Sequence, residues 1–493
     1  MRKIFIYLYC ISFFLFMPDV VQANQDALSQ EVQELRALIM EMKDGYEARI
    51  NEMQVKIENL SEQKFIEEEK AELEKELELL FNDKDDTSGT SPLASTESTV
   101  LPLNKAVTNQ FDTSGTGSWS PSQAISLWST GNSYMNISFN GLFTAAGSTA
   151  NDLEMLETGG HDPIQRGFTA QNLEIAFDGA IDTYFRGFSN IVYQLDKAGE
   201  TTVEVEETYL TTFSLPLNLQ AKAGTFFTEF GRLNPTHPHT WNFVDQPLVN
   251  GRFFGADGLR NPGVRVSWLA PTDNYTELFF TVQNSQGETA ASFRNNDGLF
   301  GRKAVGTRVR NTKDFLYVPR ITTMFELTDT QTLLLGASAA YGPNSTGTDK
   351  DTLIYGLDMF WKWKSKYASY GFPFITWQTE VMGRRFEAGE DVDANLPSDV
   401  MHNWGAYSEV TWGFKKRWVG GLRGDYVDGL KDATDPSGVE RLRISPNLTF
   451  YPSEFSKFRL QYNYDDIIGN DNTEQSVFLQ FEFLMGSHGA HKF

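Results

Sequence analysis

Cysteine is almost missing from this 493-residue chain. The single one, Cys10, sits inside an apolar run, 4–17, that follows Arg2 and Lys3. Val21-Gln22-Ala23 then offers the small residues at which a signal peptidase cuts, so 1–23 are expected to be a secretory signal peptide. The mature chain, from Asn24, has no cysteine. That excludes a disulfide framework and leaves only histidines and carboxylates for any metal. Histidine is scarce as well, with six in all. Beyond the signal no run approaches eighteen apolar residues, so no membrane-spanning helix is expected. Basic residues number 42 against 65 acidic, a net charge of −23, and nucleic acid is not among the expected partners. The chain also lacks a G-x-S-x-G elbow, an H-E-x-x-H pair and a P-loop, so neither an enzyme nor a cofactor is expected.

Aromatics, by contrast, reach 13%. The acidic excess is concentrated early, since 24–82 hold sixteen acidic and seven basic residues. In that segment Leu28, Val32, Leu35, Ile39, Met42 and Tyr46 alternate spacings of four and three, the a and d positions of heptads. Ile50, Met53, Ile57 and Leu60 continue the stripe after a stutter, and Leu73, Leu77 and Leu80 resume it. So narrow a stripe buries little unless another helix faces it, which predicts a coiled coil over 24–82, roughly 80 Å long at the usual helical rise. Residues 83–132 turn to Ser, Thr, Gly and Pro, as in "DDTSGTSPLASTEST", and are expected to be a linker.

From 133 to 493 the period becomes two. Leu173, Ile175 and Phe177 alternate with Glu174, Ala176 and Asp178, and Phe458, Leu460, Tyr462 and Tyr464 alternate with Lys457, Arg459, Gln461 and Asn463. About sixteen such runs, each near the length of a strand that crosses a bilayer at a tilt, can be counted. Short connections ("IDTY", "SLPLN", "PTDN", "TDTQ", "FKKR", "YPSEF") alternate with long ones at 227–262, 285–316 and 387–403. Tight turns on one side and long loops on the other are the mark of a bacterial outer-membrane barrel, a closed antiparallel all-β fold that satisfies its backbone in lipid. An even strand number puts both ends, and with them the coiled coil, in the periplasm. The expected partners are outer-membrane lipid, further copies of the chain, the barrel assembly machinery, for which the terminal Phe493 is the usual signal, and the cell wall through the coil.

Loop 227–262 is the third long connection. It carries Arg232, His237, His239, Asp245, Arg252 and Arg260 among Phe227, Phe230, Trp241, Phe243, Phe253 and Phe254. A plain external loop exposing so many aromatics would be costly, so it is expected to fold inward and set the pore constriction. His237 and His239 are read as neutral histidines lining a wet channel, charged only at acidic pH, with no metal; Asp245, His161 and His402 are the further ligands a zinc site would need if the fold brought them there. On the polar strand face Arg265, Glu380, Arg384, Glu409, Arg423, Asp425, Arg443 and Arg459 are expected to form the pore wall, either as a transverse field or as mutually neutralising pairs that hold register.

The stretch "VEVEETYLTTFSLPLNLQAKAGTFFTEFGRLN", with Glu207, Tyr209, Lys222, Gly224, Phe226, Phe230 and Gly231, resembles the segment of phosphate-selective-type porins that leads into their third external loop. "RISPNLTFYPSEFSKFRLQYNYD" is similar to a broader set of bacterial barrels, some associated with zinc regulation. The resemblance implies an outer-membrane porin, trimeric in most of its kind. The lysine-rich loop those porins use for phosphate has no counterpart here. The expected function is thus passive diffusion of small hydrophilic solutes or ions. Its alternatives are a receptor or transporter for a metal ion such as zinc, or a metal chelate, and a structural tether between outer membrane and cell wall.

Overall fold

A computed structural model of the chain describes residues 124–486, apart from 131–132, 158, 196–198, 214, 430–438 and 469–472. The signal 1–23, the coiled coil 24–82, most of the linker, His488, His491 and Phe493 lie outside the described residues.

The strands are β1 (Ile125–Thr130), β2 (Ser133–Ser148), β3 (Gly167–Ala180), β4 (Phe185–Leu195), β5 (Thr201–Thr212), β6 (Leu219–Phe227), β7 (Arg260–Leu269), β8 (Thr276–Asn284), β9 (Phe315–Thr328), β10 (Gln331–Pro343), β11 (Asp351–Ser369), β12 (Phe372–Ala388), β13 (Asp399–Lys415), β14 (Trp418–Val427), β15 (Arg441–Ser453), β16 (Ser456–Ile467) and β17 (Thr473–Met485). Each of β2 to β17 pairs antiparallel with its sequence neighbour, and β17 returns to pair with β2, from Met485↔Phe139 to Ser476↔Ser148. Sixteen strands thus close into a barrel with no free edge, the only way a sheet satisfies its backbone in hydrocarbon. β1, which falls inside the segment read as linker, pairs with 133–137 of β2, just beyond the point at which β17 leaves that edge.

The barrel is inside-out relative to a water-soluble fold, and the period-two pattern is the reason. Along β16, Lys457, Arg459, Gln461, Asn463 and Asp465 are buried, while Phe458 and Leu460 are 44% and 52% exposed. The outward row is repeated around the wall by Val264, Phe280, Leu357, Val381, Trp412, Leu422, Ile444 and Leu479. Continuous exposure of this kind is tolerated only against lipid, and the chain is a transmembrane barrel. Aromatics flank the belt: Tyr184, Phe185, Phe414 and Trp418 stand beside the short turns, and Tyr341, Tyr355 and Trp404 towards the long loops.

The turns 329–330, 370–371, 416–417 and 454–455 have two residues each, whereas the opposite rim carries 149–166, 228–259, 285–314 and 389–398. Loop 228–259 joins β6 to β7 and contains the one α-helix among the described residues, α1 (Leu248–Phe254). Leu248, Val249, Phe253 and Phe254 of α1 pack with Phe230 and Leu233 of the loop and with the wall residues Val318, Ala340, Ile354, Met382 and Val427. This apolar core lies within the barrel.

Candidate functional site

The loop enters the barrel beside a cluster of β5 and β6 side chains. Lys222 on β6 pairs with Glu229 at 2.8 Å and lies 4.7 Å over the Tyr209 ring and 5.0 Å over Phe226. Glu207 Oε1 accepts the Phe227 backbone N–H at 2.9 Å. Gly231 turns the chain inward with a left-handed φ of 60°, and a Cβ there would stand 2.0 Å from Glu380 Oε2. Only glycine meets both conditions.

Past Gly231 the loop is held by side chains of the inner barrel face. Glu380 Oε1 on β12 accepts the backbone N–H groups of Arg232 (3.1 Å) and Leu233 (2.8 Å) and the Tyr407 hydroxyl (2.7 Å). Asn242 donates to Glu409 on β13 at 2.8 Å and accepts from Asn447 on β15 at 2.9 Å through its carbonyl. Lys457 on β16 donates to the His239 carbonyl at 2.7 Å, and Gln171 on β3 to that of Val244 at 2.8 Å. A segment bonded to β3, β12, β13, β15 and β16 at once lies across the interior.

Asp245 is the most heavily bonded point. Its carboxylate accepts from Arg423 and Arg443, each at 2.9 Å, from Gln461 at 2.6 Å and from Asn463 at 2.8 Å. Arg423 also pairs with Asp425 and Arg443 with Asp465. Burial works to raise the Asp245 pKa, but the two guanidiniums outweigh it and hold the carboxyl below the ordinary aspartate range.

The sequence-derived residues therefore divide. Arg232, His237 and His239 line a cavity of about 550 Å³ together with Lys362, Gln378, Glu409 and Lys457 on its polar side and Trp241, Phe360 and Phe374 on its apolar side. Arg232 stacks on Phe360 at 3.8 Å and donates to Gln378 at 2.9 Å. Arg252, Arg260 and Asp245 do not line it. Arg252 is tied to Glu157 and to the carbonyls of Asp428 and Val439, and Arg260 to Glu204 and the Glu206 carbonyl, so the positive charge expected of these two is neutralised by acids from other segments. On the wall, Arg265 bonds Ser267 and Gln220, Arg384 bonds Asn403 and Ser292, and Arg459 bonds Thr449 and Gln480. Glu380, Glu409, Arg423 and Arg443 act on the loop as described, and Asp425 accepts the Leu248 backbone N–H at 3.2 Å. All eight wall residues are buried and face inward.

The histidines stand in an acidic nest. His237 lies 2.9 Å from Glu206 and 2.8 Å from Glu207, His239 lies 3.1 Å from Glu174, and His161, brought in by 149–166, lies 3.0 Å from Glu206. Burial alone lowers the His237 pKa, but the facing carboxylates Glu206, Glu207 and Glu174 outweigh it and raise it well above the imidazole range. The expectation that His237 is charged only at acidic pH is corrected by those partners. Of the further ligands considered from sequence, only His161 arrives; Asp245 is held by its arginines, and His402 is exposed on the outer face of β13.

No family model matches the chain. An uncharacterised protein of Aquifex aeolicus (strain VF5) is 31% identical over 360 residues, 68% of this chain and 73% of that protein. Among solved structures, the outer membrane channel DcaP of Acinetobacter baumannii aligns over 72% of this chain and 98% of its own, with 13% identity and a TM-score of 0.47. The anion-selective porin from Comamonas acidovorans aligns over 72% and 100%, with 7% identity and a TM-score of 0.46.

Proposed function

Since the chain belongs to the family of the uncharacterised Aquifex aeolicus protein and closes into a transmembrane barrel, we propose that it is an outer-membrane porin, a channel through which small hydrophilic solutes or ions diffuse passively. The observation that carries this reading is the cavity of about 550 Å³, lined by polar and apolar side chains alike, beside a loop that crosses the barrel interior. A barrel this size encloses more room than its wall side chains fill, and whatever lies across it sets the aperture.

In this reading 228–259 is the constriction. Arg232, with Lys362 nearby, supplies positive potential at the cavity and Glu409 supplies negative, while Lys457 is neutralised by Glu482 at 2.5 Å. Charges at close range in a low-dielectric wall bias ion passage more than the same charges on an outer loop. Asp245, Arg423 and Arg443 serve by fixing the loop. The same proposal keeps 24–82 as a periplasmic coiled coil that joins protomers, as a trimer, and that offers a contact to the cell wall; the heptad stripe supports it.

The test is planar-bilayer conductance of the purified full-length protein, with reversal potentials in a salt gradient. Discrete conductance steps are the expected result. A folded protein that leaves the bilayer insulating would refute the channel.

A further inference from the structure

Glu206 and Glu207 are chain neighbours, yet both are buried on the inner face of β5. The reason is a register shift, in which Asn190 pairs with Glu207 and Ile191 with Val205, leaving Glu206 as the extra residue of a bulge. The bulge aims a second carboxylate at the start of the inner loop.

His237 takes both. Its Nε2 lies 2.8 Å from Glu207 Oε2 and its Nδ1 2.9 Å from Glu206 Oε2. An ionised carboxylate only accepts hydrogen bonds, so the Nε2 proton points at Glu207. At Nδ1 a carboxylate oxygen at that distance is met by positive charge, either the second proton of an imidazolium or a metal ion that displaces that proton on binding. One donor atom each from Glu174, Glu206 and His237 lie within 4.8 Å of one another, and all three residues are buried. A second observation is His161, 4% exposed: its Nε2 is 3.0 Å from Glu206 Oε1 without the alignment of a hydrogen bond, and its Nδ1 has no partner. Three carboxylates buried together require compensation by positive charge.

We propose that Glu174, Glu206 and His237 bind one divalent transition-metal ion of the zinc type, with His161 as the fourth ligand and Glu207 orienting His237 through its far nitrogen. The donor set mixes imidazole with carboxylate and has no sulfur, which suits zinc and its neighbours and disfavours magnesium and calcium. A carboxylate on the outer nitrogen of a ligating histidine is the usual support of such a site. The ligands come from β3, β5, 149–166 and 228–259, so the ion pins the beginning of the inner loop to the wall. This site goes beyond the channel reading and stands whether or not the barrel conducts.

The experiment uses full-length protein without a polyhistidine tag, stripped with a chelator, exposed to zinc chloride and desalted, with metal content read by mass spectrometry. One zinc per chain is expected in the parent and in His488→Ala/His491→Ala, with loss in Glu206→Gln, Glu174→Gln and His237→Ala. Glu207→Gln, at a positioning residue, should weaken zinc affinity about 10–100-fold without changing the stoichiometry. Cobalt(II) loaded in place of zinc should give visible absorption bands that zinc removes. Heat-modifiable gel mobility reports folding of each variant; should His237→Ala fail to fold, the two isosteric glutamines decide. A folded parent that retains no zinc, zinc retained equally by Glu206→Gln and Glu174→Gln, or zinc lost with the terminal histidines would each overturn the site.

Discussion

Asp245 on the inner loop and Arg443 on β15 form an ion pair of 2.9 Å within the barrel, 198 residues apart in sequence. Arg423 approaches the other oxygen of the same carboxylate. Removing one partner of a buried pair strands the other, at a cost of about 3–5 kcal/mol. Asp245→Ala leaves Arg423 and Arg443 to Asp425 and Asp465 but removes the loop's tie to both, and should free the loop at less than that cost while the barrel persists. Limited proteolysis within 228–259 should accelerate in the variant, with heat-modifiable mobility retained.

The same carboxylate sets an acid limit. A lowered folded-state pKa contributes stability that is complete above the unfolded value of about 3.9 and is lost as pH falls through the folded value. Loop anchoring at Asp245 should therefore be unchanged from pH 7 to about pH 5 and fail only in stronger acid. Single-channel conductance over that range checks it; a rise already complete at pH 5 would contradict the assignment.

Arg232 and Arg252 should behave differently although both are loop arginines. Glu380 holds Arg232 through its backbone N–H, so Arg232→Ala removes a cavity charge without releasing the loop, and cation permeability relative to anions should rise. Arg252 faces Glu157 and two carbonyls, so Arg252→Ala should loosen the loop with little direct effect on charge selectivity. Reversal potentials and proteolysis, measured on both variants, separate the two effects.

Gly231→Ala should fold poorly. The methyl group would overlap Glu380 Oε2 in a backbone conformation that disfavours side chains, at the one point where the chain turns into the barrel. Gel mobility should show a lower temperature of barrel unfolding than in the parent. An unchanged transition would mean that the turn has another way in.

Residues 24–82, produced as a peptide, should self-associate, because their stripe follows heptad spacing. Sedimentation equilibrium giving a trimer agrees with the proposal. A dimer would keep the coil and remove the trimer, and a monomer at high micromolar concentration would remove both.

Much of the barrel is legible because strand patterning is local. "FRLQYNYD" alternates apolar and polar residues, β16 buries every second one, and the two-residue turns 329–330, 416–417 and 454–455 stand where short connections are read from the pattern, whereas 370–371 is not read as one. The last strand ends at Met485, where the clear alternation stops. The loop's aromatics also announce a segment that cannot face water, and Phe230, Phe253 and Phe254 are fully buried. What the chain could not announce is pairing across the interior. Arg252 finds Glu157 and Arg260 finds Glu204 only after closure brings distant segments together, so counting loop charges alone overestimates positive potential. The bulge at Glu206 is invisible for another reason: it breaks the alternation on which inward and outward faces were assigned. "VEVEE" in front of Tyr209 is the one local sign, since two consecutive glutamates on a membrane strand cannot both be inward without such a bulge.

The central claim, that 228–259 sets the aperture, is tested most directly by deleting 236–248 and recording single-channel conductance of the folded variant beside the parent in the same salt. The deletion removes His237, His239 and Asp245 and with them the loop's hold on β5, β14 and β15. The account predicts a clear rise in conductance with weaker ion selectivity. Equal conductance and equal reversal potential in the two proteins would contradict it.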